Sequence, residues 1–154
     1  MAAIGDVDEA NSAIGAALPA VANAEARAML GRIQNELFDL GADLATPEGI
    51  EGALRIVPAQ IDRLEQEIDR MNEDLEDLRS FILPGGAGGS AELHLARAVV
   101  RRAERTAVGA GAGFNPLALT YLNRLSDHLF VIARWVAREG GGDILWQPGA
   151  TRAG

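Results

Sequence analysis

The sequence predicts an all-α fold, a single antiparallel bundle of five helices that spans residues 1–154. Apolar residues recur at spacings of three and four along almost the whole chain, as in helices that bury one face. No stretch alternates apolar and polar residues as a half-buried strand would, and no segment repeats. A chain of 154 residues is long enough for one domain with its own core. Five helices joined by loops of modest length favour an antiparallel bundle.

The first three helices follow from proline positions and apolar spacing. The first is expected over about residues 6–17, before Pro19, and the second over about residues 24–45, where Pro47 disfavours helix at the preceding residue. The third begins at Pro58, since proline suits the first helical turn. Its acidic outer face is interpreted as solvated, and its apolar residues form a narrow seam: Ile61, Leu64, Ile68, Met71, Leu75 and Leu78.

The last two helices carry start signals in the sequence. The fourth is expected over about residues 90–108 with Ser90 as N-cap, and the fifth starts with Asn115 as N-cap and Pro116 at the first helical position. The glycine run at 140–142 ends the fifth helix. The loop before the fourth helix, "SFILPGGAGGS", carries Phe81 where a plain connector would be polar. This loop therefore indicates a contact surface for a ligand or a partner subunit.

Composition and charge exclude several classes of function. All fourteen basic residues are arginine, and 22 acidic residues outnumber them, so the net charge is −8. A chain this acidic is not expected to bind nucleic acid. The absence of cysteine excludes disulfides and thiolate metal sites. No apolar run reaches the length of a membrane span, and the first 24 residues lack the basic start of a signal peptide, so we expect a cytoplasmic protein without membrane contact.

The fourth helix gathers positive charge in this acidic chain. Residues 97–105 contain four arginines and one glutamate, and Arg97, Arg101 and Arg105 form one stripe because they are spaced four apart. Like charges at this spacing repel by roughly 0.2–0.5 kcal/mol per pair, so the stripe needs compensation. Guanidinium groups bind phosphate or carboxylate oxygens at two points. The residues alone leave two interpretations open, structural ion pairing or a site for an anionic ligand.

Polar residues on other helices could complete such a site. Asn123 and Asp127 lie four apart on the fifth helix, opposite its leucine-rich side, and Asp8 on the first helix could pair with one arginine of the stripe. The two histidines, His94 and His128, have no metal-binding spacing, so each is interpreted as a surface or core residue.

Several segments together resemble the PduO-type ATP:cob(I)alamin adenosyltransferases. The matching stretches are "GDVDEANSAIGAAL", "IQNELFDLGADLATP", "SFILPGG", "LHLARAVVRRAER" and "YLNRLSDHLFVIAR", in the family's order over about residues 5–138. The resemblance implies a ferritin-like five-helix bundle assembled as a homotrimer, with active sites between neighbouring subunits. It also implies that the Co(I) of reduced cobalamin attacks the 5′ carbon of ATP, giving adenosylcobalamin and triphosphate. Arginines along the triphosphate would stabilise the charge that builds up on it.

The resemblance also implies roles for single residues on the ATP side. Arg101, Arg102, Glu104 and Arg105 match the family's ATP-contacting "RRAER", and Arg101 is the candidate catalytic arginine. Asn123 matches the family's nucleotide-contacting asparagine. Mg²⁺ would accompany the triphosphate, with Glu104 as its candidate carboxylate, and no metal site of the protein's own is expected.

Four residues match the corrinoid side of the family's cleft. Asp8 and Arg97 match a salt bridge that shapes the cleft, and Asp127 matches an acidic residue near the corrinoid. Phe81 matches the aromatic residue that covers the lower face of the corrin and keeps the axial base off cobalt, which makes Co(II) easier to reduce. Phe81 is thus the second candidate catalytic residue. A reductase or an enzyme that accepts the cobalamin product would be a further partner.

One segment of the family is not matched. The family usually begins with a "TRTGDxGxT"-like segment and a nearby lysine that wrap the ATP phosphates, whereas this sequence opens with "MAAIGDVDEA". The alternatives are a start further upstream, a shortened chain, or a variant with weakened ATP binding. A second hypothesis is therefore a corrinoid-binding or delivery protein with little or no turnover. A third is a structural helical oligomer whose arginine stripe is ion-paired.

Overall fold

The computed structural model describes residues 1–152, and five α-helices account for most of them. Within these residues the only strand-like pairing is one isolated antiparallel bridge, so the prediction of an all-α five-helix fold is confirmed. No helix of the described chain is both long and apolar enough to cross a membrane. The helices are α1 Ala2–Ala17, α2 Ala24–Ala45, α3 Pro58–Asn72, α4 Ser90–Gly109 and α5 Pro116–Ala137.

Helix α5 lies at the centre of the bundle. It packs on α4 and on α3, while α4 also packs on α1 and α1 on α2. Tyr121 and Trp135 of α5 are among the largest fully buried side chains. Helices α1 and α4 approach each other closely because alanines fill much of their buried faces. These alanines are Ala3, Ala10, Ala17, Ala96, Ala103 and Ala107.

The third helix is shorter than the apolar pattern predicts. The predicted seam continues to Leu78, whereas α3 ends at Asn72. Just beyond that end, the Asp74 carboxylate accepts a hydrogen bond from Nε1 of the buried Trp135 at 3.0 Å and pairs with Arg70 at 2.9 Å. The hydrogen bond from Trp135 holds a turn, in which the amides of Asp74 and Leu75 donate to carbonyls three residues back and not four, at 3.1 Å each. Leu78 therefore lies exposed in the following loop and not on the predicted seam.

Two helix starts also differ from the prediction. Helix α1 begins earlier, at Ala2, because its buried face continues to that end. Ser90 does begin α4, but the cap is Gly89, whose φ of 91° favours glycine. A Cβ atom at Gly89 would lie 2.5 Å from Cγ2 of Val21, so the loop is packed tightly against the segment after α1. The Ser90 hydroxyl donates instead to the Gly85 carbonyl at 3.2 Å.

The predicted start of α5 is confirmed. Oδ1 of Asn115 accepts the backbone N–H two residues further on at 3.1 Å, as an N-cap does. The same side chain donates to the buried Asp43 carboxylate at 2.8 Å. Asp43 also accepts hydrogen bonds from Arg55 and from the amide of Ile56. One carboxylate thus joins the end of α2, the 46–57 loop and the start of α5.

A buried polar network joins α2, α3 and α5, and no pattern in the sequence predicted it. Arg32 donates two hydrogen bonds to Glu67 at 2.6 and 2.5 Å, and the fully buried His128 lies 3.1 Å from the same carboxylate. The buried Glu36 accepts a hydrogen bond from the Tyr121 hydroxyl at 2.7 Å. Burial, and then the charge of Glu36, raise the pKa of Tyr121. Part of the acidic face of α3 is therefore engaged in the bundle, so the interpretation of this face as solvated is wrong for Glu67. His128 is a core residue, which is one of the two environments expected for it from the sequence.

Glu67 is expected to make the stability of the fold depend on pH. Burial alone would raise the pKa of Glu67, but hydrogen bonds from Arg32 and His128 outweigh burial and lower that pKa from 4.5 to about 2. Stability from a depressed carboxylate pKa is present above the unfolded pKa and is lost as the pH falls through the folded one. As the pH falls from about 6 to about 3, we expect the free energy of unfolding to decrease by roughly 2 kcal/mol because of Glu67.

Denaturant titrations at these two pH values measure the effect. Glu67→Gln should lose less stability than the wild type over this range, by roughly 2 kcal/mol. Glu65→Gln, a change at an exposed position of the same helix, is the matched control and should behave like the wild type. Equal losses in the wild type and Glu67→Gln would contradict the assignment.

Candidate functional site

The arginine stripe lies on the solvent-facing side of α4. Arg101 and Arg105 are exposed, and Arg97 is half-buried. Within residues 1–152, none of the three has a carboxylate oxygen within 4.0 Å. Of the two interpretations that the residues left open, this arrangement favours the anionic-ligand site. The opposite face of the helix is buried in the bundle through Ala96, Val99, Val100, Ala103 and Ala107.

Arg97 carries an unsatisfied donor at the inner edge of the stripe. Its Nε is buried and has no hydrogen-bond partner among the described residues. Burial, and then the like charge of Arg101, lower the pKa of Arg97, although a guanidinium remains protonated at neutral pH. A partly buried cation beside a second cation costs free energy when no partner compensates it. A bound anion would supply that compensation.

The pair predicted between Asp8 and Arg97 does not form within one copy of the chain. Helix α1 presents Glu9 to α4, where Glu9 forms an ion pair with Arg102. Asp8 precedes Glu9 by one residue and therefore points about 100° away around the helix. Asp8 faces α2 and lines a groove there.

That groove has a volume of about 420 Å³ and lies between α1 and α2. Asp8 is its acidic residue, and Asn11 contributes an Oδ1 atom that is buried without a partner in the described chain. An apolar groove with a few polar groups fits a large, partly apolar ligand or a second subunit. Its apolar lining includes Ile4, Val7, Leu37 and the exposed Phe38.

Asn123 connects α5 to the arginine-bearing helix. Its Nδ2 donates to Oε1 of Glu104 at 3.2 Å, so two of the five residues predicted to contact the nucleotide lie side by side. Asp127 lies about one turn further along α5, is exposed, and accepts a hydrogen bond from Arg124 at 2.8 Å. The structure therefore brings Asn123 to α4 and leaves Asp127 in a surface ion pair of α5 itself.

Phe81 lies in the loop between α3 and α4, and its side chain is 77% exposed. The prediction of exposed apolar surface in this loop is thus confirmed. The ring centroid lies 5.9 Å from that of Trp146. The two aromatic rings border a second groove of about 480 Å³, together with Leu78, Arg79 and Ser80. No local sequence pattern could have paired Phe81 with Trp146, since the chain brings them together only after α4 and α5.

His94 lies on α4 three residues before Arg97, the first arginine of the stripe. Its ring is buried and lies edge-on to Phe130 at a centroid distance of 6.1 Å, which makes His94 a core residue. Burial, and then the charge of Arg97, lower the pKa of His94, while Asp143 acts in the opposite direction. His94 is therefore within electrostatic range of the stripe and of the segment that carries Trp146.

Together these features define a class of protein, a helical bundle that presents unpaired arginines to an anionic ligand beside an exposed aromatic loop. Positive charge at this site comes from guanidinium groups. In residues 1–152, no three His, Asp or Glu side chains are grouped as they would be to hold a metal ion.

Comparison with known proteins identifies the family. The family model described as cobalamin adenosyltransferase matches residues 1–136. The corrinoid adenosyltransferase of Mycobacterium tuberculosis is 50% identical over an alignment of 161 positions, which covers 99% of this chain and 82% of that protein. The corrinoid adenosyltransferase PduO of Salmonella typhimurium is 38% identical over 86% of this chain and 40% of its own length. The chain therefore belongs to the cobalamin adenosyltransferase family.

Solved structures agree with this identification. A variant of the PduO-type ATP:corrinoid adenosyltransferase from Lactobacillus reuteri, complexed with cobalamin and ATP, matches with a TM-score of 0.87 and 35% identity over 95% of this chain and 84% of that chain. A second variant of that enzyme, complexed with ATP, matches with a TM-score of 0.84. The resemblance inferred from the sequence segments is confirmed, and with it the enzyme class, a corrinoid adenosyltransferase.

Proposed function

We propose that this chain transfers the 5′-deoxyadenosyl group from ATP to cob(I)alamin, giving adenosylcobalamin and triphosphate. The observation that carries the proposal is the stripe of Arg97, Arg101 and Arg105, which have no carboxylate partner in the described chain. In the reaction Co(I) attacks the 5′ carbon of ATP, so a cobalt–carbon bond forms. The bond from that carbon to the triphosphate oxygen breaks, and its electron pair leaves with the triphosphate. Unpaired guanidinium groups along α4 stabilise this growing negative charge.

We assign the nucleotide to α4 and to the facing side of α5. Arg101 and Arg105 bind the triphosphate one helical turn apart. Asn123, held by Glu104, contacts the rest of the nucleotide. The second oxygen of Glu104 is the candidate ligand for the Mg²⁺ that accompanies the triphosphate. Arg102 is engaged by Glu9 in the free chain, so its contact with ATP requires that ion pair to open or to be shared.

We assign the corrinoid to the groove beside Phe81. The exposed ring covers the lower face of the corrin and keeps the axial base off cobalt, which eases the reduction of Co(II) because an axial donor stabilises the higher oxidation state. Asp127 and the pair of Asp8 and Arg97 shape the remainder of the cleft. Since Asp8 and Arg97 do not meet within one copy, we place them on neighbouring subunits of a homotrimer. A reductase that supplies Co(I) and an enzyme that accepts adenosylcobalamin are the expected partners.

Anaerobic titration with cob(II)alamin tests the proposal. With ATP present, we expect the visible and electron paramagnetic resonance spectra to change from those of free cob(II)alamin to those of a form without its lower axial base. Without ATP, the change should be smaller. Spectra that stay those of the free corrinoid under both conditions would contradict the proposal and leave a structural helical oligomer.

A further inference from the structure

We infer that Trp146 is a positioning residue for Phe81. Trp146 belongs to residues 143–147, here named the C-terminal strap. No residue of this strap has a role in the proposed function. The positioning role of Trp146 rests on the proposed role of Phe81 at the corrinoid. Four features of the structure support this inference: the path of the strap, its anchor, its backbone pairing and the contact between the two rings.

Glycines turn the chain after α5 and send the strap back along the bundle. Gly141 and Gly142 have φ angles of 105° and 80°, a region that favours glycine. The N–H of Gly142 donates to the carbonyl of Ala137 at 2.8 Å and so closes the end of α5. The strap that follows therefore lies beside the loop that carries Phe81.

A buried ion pair anchors the start of the strap. Arg134 of α5 is only 8% exposed, and its Nε donates to Asp143 at 2.9 Å. Nη2 of the same guanidinium donates to the carbonyl of Glu76 at 2.9 Å. One buried side chain thus holds the strap and the loop before Phe81 together. Because a buried cation needs its partners, this anchor fixes where the strap meets the loop.

Backbone hydrogen bonds then join the strap to the segment of Phe81. The N–H of Leu83 donates to the carbonyl of Ile144 at 2.7 Å, and the N–H of Trp146 donates to the carbonyl of Phe81 at 3.0 Å. These two bonds flank the one isolated antiparallel bridge of the described chain. Antiparallel pairing fixes both the main chain of Phe81 and the register that brings its side chain beside Trp146.

The indole ring of Trp146 then limits the positions of the Phe81 ring. A phenyl group that is 77% exposed on an irregular loop would otherwise move among several rotamers. The two centroids lie 5.9 Å apart with the planes tilted by 54°, an arrangement that aromatic pairs favour. Trp146 is itself 45% exposed and borders the same groove. Its contact therefore sets the plane in which Phe81 meets a corrin ring.

Two substitutions of Trp146 and one control test this positioning role. We expect Trp146→Ala to lower kcat for adenosylation from cob(II)alamin by about tenfold and to leave KM for ATP within about twofold. The fraction of bound cob(II)alamin without its axial base should fall as well, and Trp146→Phe should restore most of both. Leu145→Ala is the matched control, because Leu145 is exposed on the same strap but does not line the groove, and it should behave like the wild type.

Hydrogen exchange of the free protein gives a second readout that needs no corrinoid. The amide of Leu83 should exchange about tenfold faster in Trp146→Ala than in the wild type or Leu145→Ala. A wild-type Co(II) spectrum in Trp146→Ala, where Phe81→Ala alters it, would overturn the positioning role and leave the proposed function intact. If Phe81→Ala also leaves the spectrum unchanged, the proposed role of Phe81 fails. In that case hydrogen exchange of the Leu83 amide alone tests the positioning role. Faster exchange in Trp146→Ala supports positioning of Phe81 by Trp146, and unchanged exchange overturns it.

Discussion

Arg101→Ala is expected to lower kcat for adenosyl transfer by roughly 10²–10³-fold, or about 3–4 kcal/mol of barrier. Arg101 is the central cation of the stripe, is exposed, and has no carboxylate partner in the described chain. Negative charge grows on the triphosphate as its bond to the 5′ carbon breaks. A donor aimed at that charge binds the transition state more tightly than the ground state, so kcat should fall more than ATP affinity. Anaerobic turnover with pre-reduced cobalamin at saturating ATP measures the loss.

The same substitution should leave the fold intact. Removing Arg101 relieves two repulsive pairs, with Arg97 and with Arg105, so the free energy of unfolding should stay the same or rise by up to roughly 0.4–1 kcal/mol. Arg152→Ala removes an exposed arginine outside the stripe and should retain the wild-type rate. A folded Arg101→Ala protein with the wild-type rate would contradict the catalytic role. Loss of the fold would instead support a structural role for the stripe.

Phe81→Ala is expected to slow adenosylation from cob(II)alamin by about 100-fold, or roughly 2.7 kcal/mol. Without the ring over the lower face, the axial base returns to cobalt and makes Co(II) harder to reduce. ATP binding should change by less than about twofold, because the loop is distinct from the arginine helix. Spectra of the bound cob(II)alamin report the axial base directly. Chemically reduced cob(I)alamin should bypass most of the loss, since it enters after the reduction step.

Leu83→Ala is the matched control for this prediction. Leu83 is a second exposed apolar side chain of the same loop, and its backbone hydrogen bond to the strap survives the substitution. It should therefore keep the wild-type Co(II) spectrum. An unchanged spectrum in Phe81→Ala would remove Phe81 from the reduction step, whatever the rate.

Much of the fold could be predicted because its signals are local. The N-cap at Asn115 and the helix-ending effect of Pro47 depend on a few neighbouring residues, and both predictions are confirmed. The predicted end of α3 was wrong because the actual end depends on a contact with a residue distant in sequence. The apolar spacing continues to Leu78, but the hydrogen bond from Trp135 to Asp74 draws the chain away earlier. No pattern within α3 carries that information.

In the candidate site, too, features within one helix could be predicted and contacts between helices could not. The arginine stripe was predictable because residues four apart on a helix share a face, and the apolar positions of the opposite face are buried. Partners across helices were not predictable. Glu9 and not Asp8 meets α4, a difference of one residue and about 100° around α1. The contact of Phe81 with Trp146 joins residues on either side of two long helices, so only the folded chain brings them together.

An anaerobic assay of product formation tests the central claim most directly. The protein is mixed with chemically reduced cob(I)alamin, ATP and Mg²⁺, and adenosylcobalamin and triphosphate are followed together. We expect both products to form in equal amounts, only when ATP is present, and to depend on Arg101. Corrinoid binding without either product would contradict the transferase and leave a corrinoid delivery protein, and neither binding nor product would leave a structural bundle.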